Sequence, residues 1–195
     1  MPDYTGLKPR NIVGLDLSLS STGYHTLVGE LISGAIVTND KLSSMERIDF
    51  ILARIAELVH EGDFVLIENN AFNAIGRAKS VLAELNGIVK FWLWRRKIEY
   101  VLVAPTTLKK FILGKGKGEK SLILREVFKA YGLNAGTDDE ADACVLAHIG
   151  ACLIGREEPH NQAQREVMFT LTATKRRSRK RRKSPETAGS LAARD

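Results

Sequence analysis

The sequence predicts an α/β protein built on a five-stranded mixed sheet, with three antiparallel strands first and helices on both faces. Two observations lead to this expectation. Short apolar runs separated by turn residues open the chain, as in an antiparallel meander. Later apolar runs alternate with segments of helical periodicity, as in parallel strands joined by helical crossovers.

The first half of the chain contains four predicted strands and one helix. Residues 11–19 read NIVGLDLSL, which favours a strand buried on both faces. After an SSTG turn, residues 24–28 and 31–37 predict the second and third strands of the meander. Residues 43–60 place apolar side chains at helical spacing, and residues 63–68 predict a short apolar strand that ends in an acid.

The second half is mainly helical, with one further strand. Residues 74–96 predict a long apolar helix, and residues 98–105 predict a strand that Pro105 stops. Short helices are expected at 106–113 and at 121–132, where a glycine ends the second one. The last predicted helix opens in the acidic stretch TDDEADA and runs to about Ile154.

The positive charge of the chain is concentrated near its C-terminal end. The net charge is +6, and residues 175–183 read KRRSRKRRK, with eight basic residues in nine. This run is typical of a flexible arm that binds nucleic-acid phosphates, although a solubilising or targeting tail is the alternative. We therefore expect one folded domain at 11–155, an extension at 1–10 and a flexible extension at 156–195. Candidate DNA contacts in the run are Arg176, Arg177 and Arg179.

Several classes of protein are not expected. The chain has no run of 18 apolar residues and no apolar signal-peptide core at its N-terminus, so we expect a cytoplasmic protein that does not enter a membrane. Cys144 and Cys152 lie eight residues apart on one predicted helix, about 12 Å along its axis. That separation is too long for a disulfide, and we interpret both residues as buried thiols and not as metal ligands.

Acidic side chains occur where charge is costly or crowded. Asp16 interrupts an apolar strand, and Glu68 ends another. Asp139 and Asp142 are spaced i,i+3 on the last helix and share a face. Asp138 and Asp142 are spaced i,i+4 and would share a face too, so spacing alone leaves the choice between Asp138 and Asp139 open.

Each of these acids also has a structural interpretation. Backbone amides of the SSTG turn would satisfy Asp16, Glu68 would reach solvent from its strand end, and the helix acids would cap a helix N-terminus. If the first and fourth strands are neighbours, however, the acids converge at one end of the sheet. A cluster with only oxygen ligands suits Mg²⁺ or Mn²⁺. Two such ions would hydrolyse a phosphodiester.

A lysine-rich, glycine-rich segment is the second candidate binding feature. Glycines allow the backbone to approach phosphates closely, whereas a solvated surface loop is the alternative. Because residues 1–174 are nearly neutral overall, this concentration favours a phosphate-binding role. The lysines are Lys109, Lys110, Lys115, Lys117 and Lys120.

Four sequence motifs follow one another along the chain. They are GLDLSLSSTG at 14–23, LIENNAF at 66–72, APTTLKKFILGKGKGEK at 104–120 and DDEADACVLAHIG at 138–150. Together they resemble the RuvC-type Holliday-junction resolvases of the ribonuclease H-like superfamily, particularly the short phage-encoded ones. The resemblance covers roughly residues 11–154.

The resemblance implies a function for each feature. It implies a nuclease domain at 11–155 that uses Mg²⁺, with Mn²⁺ as substitute. It also implies a homodimer, formed in part through the helix at 74–96. This dimer would resolve four-way DNA junctions by paired nicks. The DxxDA form of the last motif favours Asp139, and Lys120 is placed near the scissile phosphate. Phe72 either stacks on a base or belongs to the core. The implied catalytic and metal-binding residues are Asp16, Glu68, Asp139 and Asp142.

Three other functions are weighed against this one. A nuclease of the same fold that cuts RNA–DNA hybrids or structured RNA would use the same metal chemistry. A non-catalytic nucleic-acid-binding protein would gain nothing from four carboxylates facing phosphates. A sugar-kinase-like ATPase has a phosphate-binding hairpin similar to GLDLSLSSTG, but it needs a second domain for which the chain is too short.

Overall fold

The computed structural model describes residues 4–27, 31–69 and 77–182 and forms five strands and six helices in this part of the chain. It confirms the predicted α/β class and the order of the first ten elements. The strands are β1 Ile12–Asp16, β2 Ser21–Thr26, β3 Ser33–Val37, β4 Phe64–Glu68 and β5 Glu99–Val103. The helices are α1 Ser44–Leu58, α2 Arg77–Arg95, α3 Pro105–Leu113, α4 Lys120–Tyr131, α5 Asp138–Leu153 and α6 Gln162–Arg182.

The five strands form one mixed sheet in the order β3-β2-β1-β4-β5. β1 pairs antiparallel with β2, and β2 with β3, which confirms the predicted meander. β4 pairs parallel with both β1 and β5, as expected for strands reached through helical crossovers. The first and fourth strands are therefore neighbours, which was the condition for the acids to converge.

Alternation along the strands divides the core into two layers. On β1, Ile12 contributes to the layer that contains α5, whereas Val13 and Leu15 contribute to the layer that contains α1 and α2. Because successive side chains point to opposite faces of a sheet, the next even-numbered position, Asp16, faces α5. The same parity on β4 directs Glu68 to that face, after Phe64 and Leu66.

Helix α5 lies unusually close to the sheet because glycines face it. A Cβ atom at Gly14 on β1 would overlap the carbonyl oxygen of Ala143 and lie 2.9 Å from the amide nitrogen of Ala147. A Cβ atom at Gly23 on β2 would overlap the carbonyl group of Asp139. The helix is buried on all sides, since α3, α4 and α6 cover the surface that does not meet the sheet.

Helix α6 was not predicted from the sequence: residues 156–195 were expected to form a flexible extension, whereas residues 162–182 form this helix. Val167 and Leu171 of α6 are buried in the layer that contains α5, and the side-chain amide of Gln164 donates to the carbonyl oxygen of Phe111 on α3. The helical backbone continues to Arg182, through most of the basic run. In the described part of the chain, no helix combines the length and the apolar character that crossing a membrane requires.

The close approach of α5 leads to a stability prediction. Gly14→Ala should lower the free energy of unfolding by about 1–3 kcal/mol, because the new methyl group overlaps helix backbone that has nowhere to move. Urea denaturation measures the change. Gly87→Ala is the matched control, since an added Cβ at this exposed position of α2 meets no heavy atom of the described residues within 4 Å. It should be neutral or stabilising by up to about 1 kcal/mol. Equal effects of the two substitutions would contradict the interpretation.

Candidate active site

Two buried carboxylates stand side by side at the ends of the central strands. The parallel register pairs Leu15 with Ile67, so Asp16 and Glu68 are the next residues on β1 and β4. Asp16 is 9% exposed and Glu68 is 8% exposed. Both side chains face α5, which brings the N-terminal end of that helix against them.

Helix α5 adds its own carboxylates to this pair. One carboxylate oxygen from each of Asp16, Glu68 and Asp142 lies within 4.8 Å of the other two. Asp139, one turn earlier on α5, lines the same cavity, whose volume is about 290 Å³. Gly23 pairs with Asp16 across β1 and β2, and its missing side chain leaves room for the backbone of Asp139.

Burial and mutual repulsion hold these carboxyl groups toward their neutral forms. Burial first, and then the charges of Glu68 and Asp142, raise the pKa of Asp16 well above its ordinary value. Burial and the charge of Asp142 raise the pKa of Glu68 to about 7. Burial raises the pKa of Asp142 to about 6, although Lys120 and Lys109 oppose this shift. The cluster is therefore costly when it is ionised and without a cation.

The cluster has the donors that a hard divalent cation needs. All of its donor atoms are carboxylate oxygens, the type that Mg²⁺ and Mn²⁺ prefer. The Oδ1 atom of Asp142 is buried and has no hydrogen-bond partner among the described residues. A buried carboxylate oxygen that has no hydrogen-bond partner and lies close to two further carboxylates is the arrangement expected of a cation ligand.

Other residues perform the structural roles that were the alternative for the acids, namely capping α5 and stabilising the turn after β1. The side chain of Thr137 caps α5 by accepting a hydrogen bond from the amide of Glu140, and the Glu140 carboxylate accepts one from the amide of Gly136. In the turn after β1, the hydroxyl of Thr22 accepts from the amide of Ser18 and donates to its carbonyl oxygen. Asp142 and Asp16 are thus not needed for these roles.

The structure distinguishes Asp138 from Asp139, which spacing could not. Asp138 forms an ion pair with Lys120, at 3.0 Å between Oδ2 and Nζ. Asp139 lines the cavity together with the three clustered carboxylates. The ligand role of Asp139, which the DxxDA motif favours, stays a prediction.

Two of the five candidate lysines line the cavity. They are Lys109 on α3 and Lys120 at the start of α4, and both stabilise the negative charge of the cluster. Apolar side chains complete the wall beside them. These are Leu17, Leu82, Leu108 and Ile123.

The other predicted DNA contacts lie outside the cavity. Lys110 pairs with Glu166 of α6 at 2.6 Å, whereas Lys115 and Lys117 are exposed in the loop between α3 and α4. Phe72 lies outside the described residues. The backbone of Arg176, Arg177 and Arg179 belongs to α6, and their DNA contacts stay a prediction.

One group of candidate ligand side chains was not predicted from the sequence. His25 on β2 lies beside Cys144 and His148 on α5, all three of them buried. Burial, with a smaller contribution from His148, lowers the pKa of His25 to about 4, so its imidazole is neutral. The i,i+4 spacing of Cys144 and His148 was the available signal, but nothing in the sequence connected it to β2.

Comparison with known proteins identifies a family that matches this chain. The family model for the crossover junction endodeoxyribonuclease RuvC matches residues 12–149. The RuvC protein of Rickettsia conorii is 28% identical over 156 residues, which cover 73% of this chain and 96% of that protein. The RuvC protein of Orientia tsutsugamushi is 29% identical over 149 residues, which cover 72% and 94%.

Solved structures share the fold. Thermus thermophilus RuvC matches with a TM-score of 0.60 at 19% identity, over 75% of this chain and 95% of that one. T. thermophilus RuvC in complex with a Holliday junction substrate matches with a TM-score of 0.64 at 19% identity, over 75% and 96%. The residues that the family model matches include all five strands and most of α5. This chain therefore belongs to the RuvC family of crossover junction endodeoxyribonucleases.

Proposed function

We propose that this chain resolves four-way DNA junctions by metal-dependent hydrolysis of two opposed phosphodiesters. One observation carries the proposal: three carboxylates from β1, β4 and α5 meet within 4.8 Å in a cavity that two lysines also line. That arrangement fits a negatively charged substrate only when cations are shared between protein and phosphate. Membership of the RuvC family and the junction complex of a relative with the same fold support the choice of substrate.

The proposed cofactor is Mg²⁺, with two ions per site and Mn²⁺ as a substitute. Asp16, Glu68, Asp139 and Asp142 are the residues that would hold them. The chemistry that such ions supply is activation of a water molecule and stabilisation of the leaving oxygen. Strand ends fix Asp16 and Glu68, and α5 fixes the other two, so the ligands are positioned before substrate arrives.

The lysines have a separate task, which is to hold the phosphate. Lys109 and Lys120 line the cavity and would offset the charge of the phosphate. Lys115 and Lys117 extend this positive surface along the exposed loop. We infer that the basic run with Arg176, Arg177 and Arg179 adds salt-sensitive contacts to DNA outside the junction centre. We also propose that the protein acts in the cytoplasm of the cell, or of the host if the protein is phage-encoded.

The homodimer that two opposed nicks require is part of the proposal. Two large aromatic side chains of α2 stand in solvent: Phe91 is 60% exposed and Trp94 is 66% exposed. Their rings stack with centroids 6.0 Å apart. Leu85, Val89 and Leu93 occupy the buried face of the same helix, so among the described residues the exposed pair lies outside the core. We propose that it contacts a second copy.

Removing one carboxylate should separate cleavage from binding. Asp16→Asn keeps the shape of the side chain and removes its charge, so we expect junction binding to survive and cleavage to fall by about 100- to 1000-fold or more. Cleavage of a labelled four-way junction in Mg²⁺ measures this, with linear duplex and RNA–DNA hybrid as alternative substrates. Asp49→Asn, at an exposed position of α1, is the control and should cut normally. If the hybrid alone is cut, the substrate assignment is wrong.

Adjacent acids at the start of α5 should behave differently. Asp139→Asn should reduce cleavage strongly, because this carboxylate lines the cavity. Asp138→Asn should reduce it less than about tenfold, since an exposed ion pair such as Lys120–Asp138 contributes little energy. Single-turnover cleavage of both variants under the same conditions makes the comparison. A larger loss in Asp138→Asn would transfer the ligand role to that residue.

Metal-free protein should lose stability as pH rises. Burial raises the pKa of Glu68 from its ordinary value of 4.5 to about 7, so between these values the folded state binds more protons than the unfolded chain. The free energy of unfolding therefore falls through this window, by about 2 kcal/mol from this group. Denaturation in EDTA at about pH 5 and about pH 8 measures the change.

The matched variant for this experiment is Glu68→Gln, which has no charge to lose. Its free energy of unfolding should change less between the two pH values, and it should exceed the wild type in stability at the higher one. Saturating Mg²⁺ should restore the stability of the wild type at high pH, because the folded state alone binds the cation. A wild type that shows the same pH dependence as Glu68→Gln would contradict the account.

A further inference from the structure

A second cluster of potential metal ligands lies one helical turn beyond the acids on α5. One ligand atom from each of His25, Cys144 and His148 lies within 4.8 Å of the other two. His25 and Cys144 are 2% and 0% exposed, and His148 is 8% exposed. The site is enclosed by protein and is separate from the carboxylate cavity, whose lining contains none of the three.

The side chain of His25 has no hydrogen-bond partner among the described residues. Both of its ring nitrogens are buried and lack a partner among the described residues. Leaving a buried polar group unsatisfied costs about 1–3 kcal/mol, and native folds rarely tolerate it. The glycine that pairs with His25 in the sheet is Gly14, where α5 comes closest, so the imidazole is held against the helix that carries Cys144 and His148.

His148 is oriented in the manner of a metal-bound histidine. Both carboxylate oxygens of Glu157 lie 2.9 Å from its Nδ1 atom, and its ring stacks on Tyr131 with centroids 3.5 Å apart. An Nδ1–H group that donates to this carboxylate leaves Nε2 with a free lone pair. Carboxylate–histidine pairs of this kind fix the ring and strengthen the histidine as a ligand.

The donor set selects a different metal from the one in the carboxylate cavity. Two imidazoles and one thiolate are borderline to soft donors, which suit Zn²⁺ and disfavour Mg²⁺. Charge is balanced as well, because the thiolate of Cys144 and the carboxylate of Glu157 together neutralise a divalent cation. In contrast to the interpretation of Cys144 from the sequence, we propose that His25, Cys144 and His148 bind one Zn²⁺ ion, with Glu157 as the positioning residue for His148.

The bound ion would have a structural role. It links β2 to α5 beyond Asp142, since Cys144 lies two residues and His148 six residues further along the helix, at about 3 Å and about 9 Å. The thiol of Cys144 releases its proton to solvent when the Zn–S bond forms, and no oxidant or reductant is involved. An interpretation of the cluster as ordinary core accounts for the buried thiol and the stacked rings, but it leaves both nitrogens of His25 without a partner.

Cobalt substitution tests the proposal on the reduced, full-length protein. Co²⁺ should give the absorption of a tetrahedral site with a thiolate-to-cobalt charge-transfer band, since only a sulfur ligand produces that band. One equivalent of Zn²⁺ should abolish the band, whereas excess Mg²⁺ should not. Co²⁺ bound to the carboxylate cavity gives no such band, so the result does not depend on the nuclease assignment.

Variants locate the ligands. Cys144→Ser and His25→Gln should each abolish the band, and Cys152→Ser, which changes the other free thiol of α5, should keep it. Glu157→Gln should keep the band and weaken Zn²⁺ binding by about 10- to 100-fold. Circular dichroism confirms that each variant is folded, and His148→Gln replaces any ligand variant that is not. A folded wild type without the band, or a band that survives in folded Cys144→Ser, would overturn the proposal.

Discussion

The close contact between α5 and the sheet is the constraint on which the rest of the structure depends. Carboxylates on β1 and β4 cannot meet those on α5 unless the helix backbone lies nearly against the strands. Gly14 and Gly23 allow this, because at both positions a single methyl group would overlap the helix backbone. The same contact seats His25 beside Cys144 and His148. One steric feature therefore positions both clusters of candidate ligand side chains.

The cost of this arrangement is electrostatic. Asp16, Glu68 and Asp142 would be more stable apart, since burial and like charge raise the pKa of each carboxyl group. Apolar residues on both faces of the sheet stabilise the strands that carry Asp16 and Glu68. The proposed active site thus lies where the structure is least favourable on its own, which is a common compromise in enzymes.

Much of the fold and part of the site could be predicted from the sequence. Short apolar runs between turn residues predicted the strands. The sequence placed Asp16 in the middle of a strand at 11–19, whereas β1 ends at Asp16, which lies beside Glu68 because β1 and β4 pair. Helical spacing could not choose between Asp138 and Asp139, because both share a face with Asp142. Helix α6 was missed because it buries few apolar residues, Val167 and Leu171 among them. Without that helix, the partner of Lys110, Glu166, could not be foreseen.

The ion pair between Lys120 and Asp138 has a consequence for turnover. A lysine at the first position of a helix opposes the helix dipole, and Asp138 offsets this charge while no substrate is bound. If Lys120 holds the substrate phosphate as proposed, that phosphate exchanges with a carboxylate and does not meet a bare cation. Because the ion pair is exposed, the exchange costs little energy. The same carboxylate would then be at hand to pair with the lysine again when the cut DNA leaves.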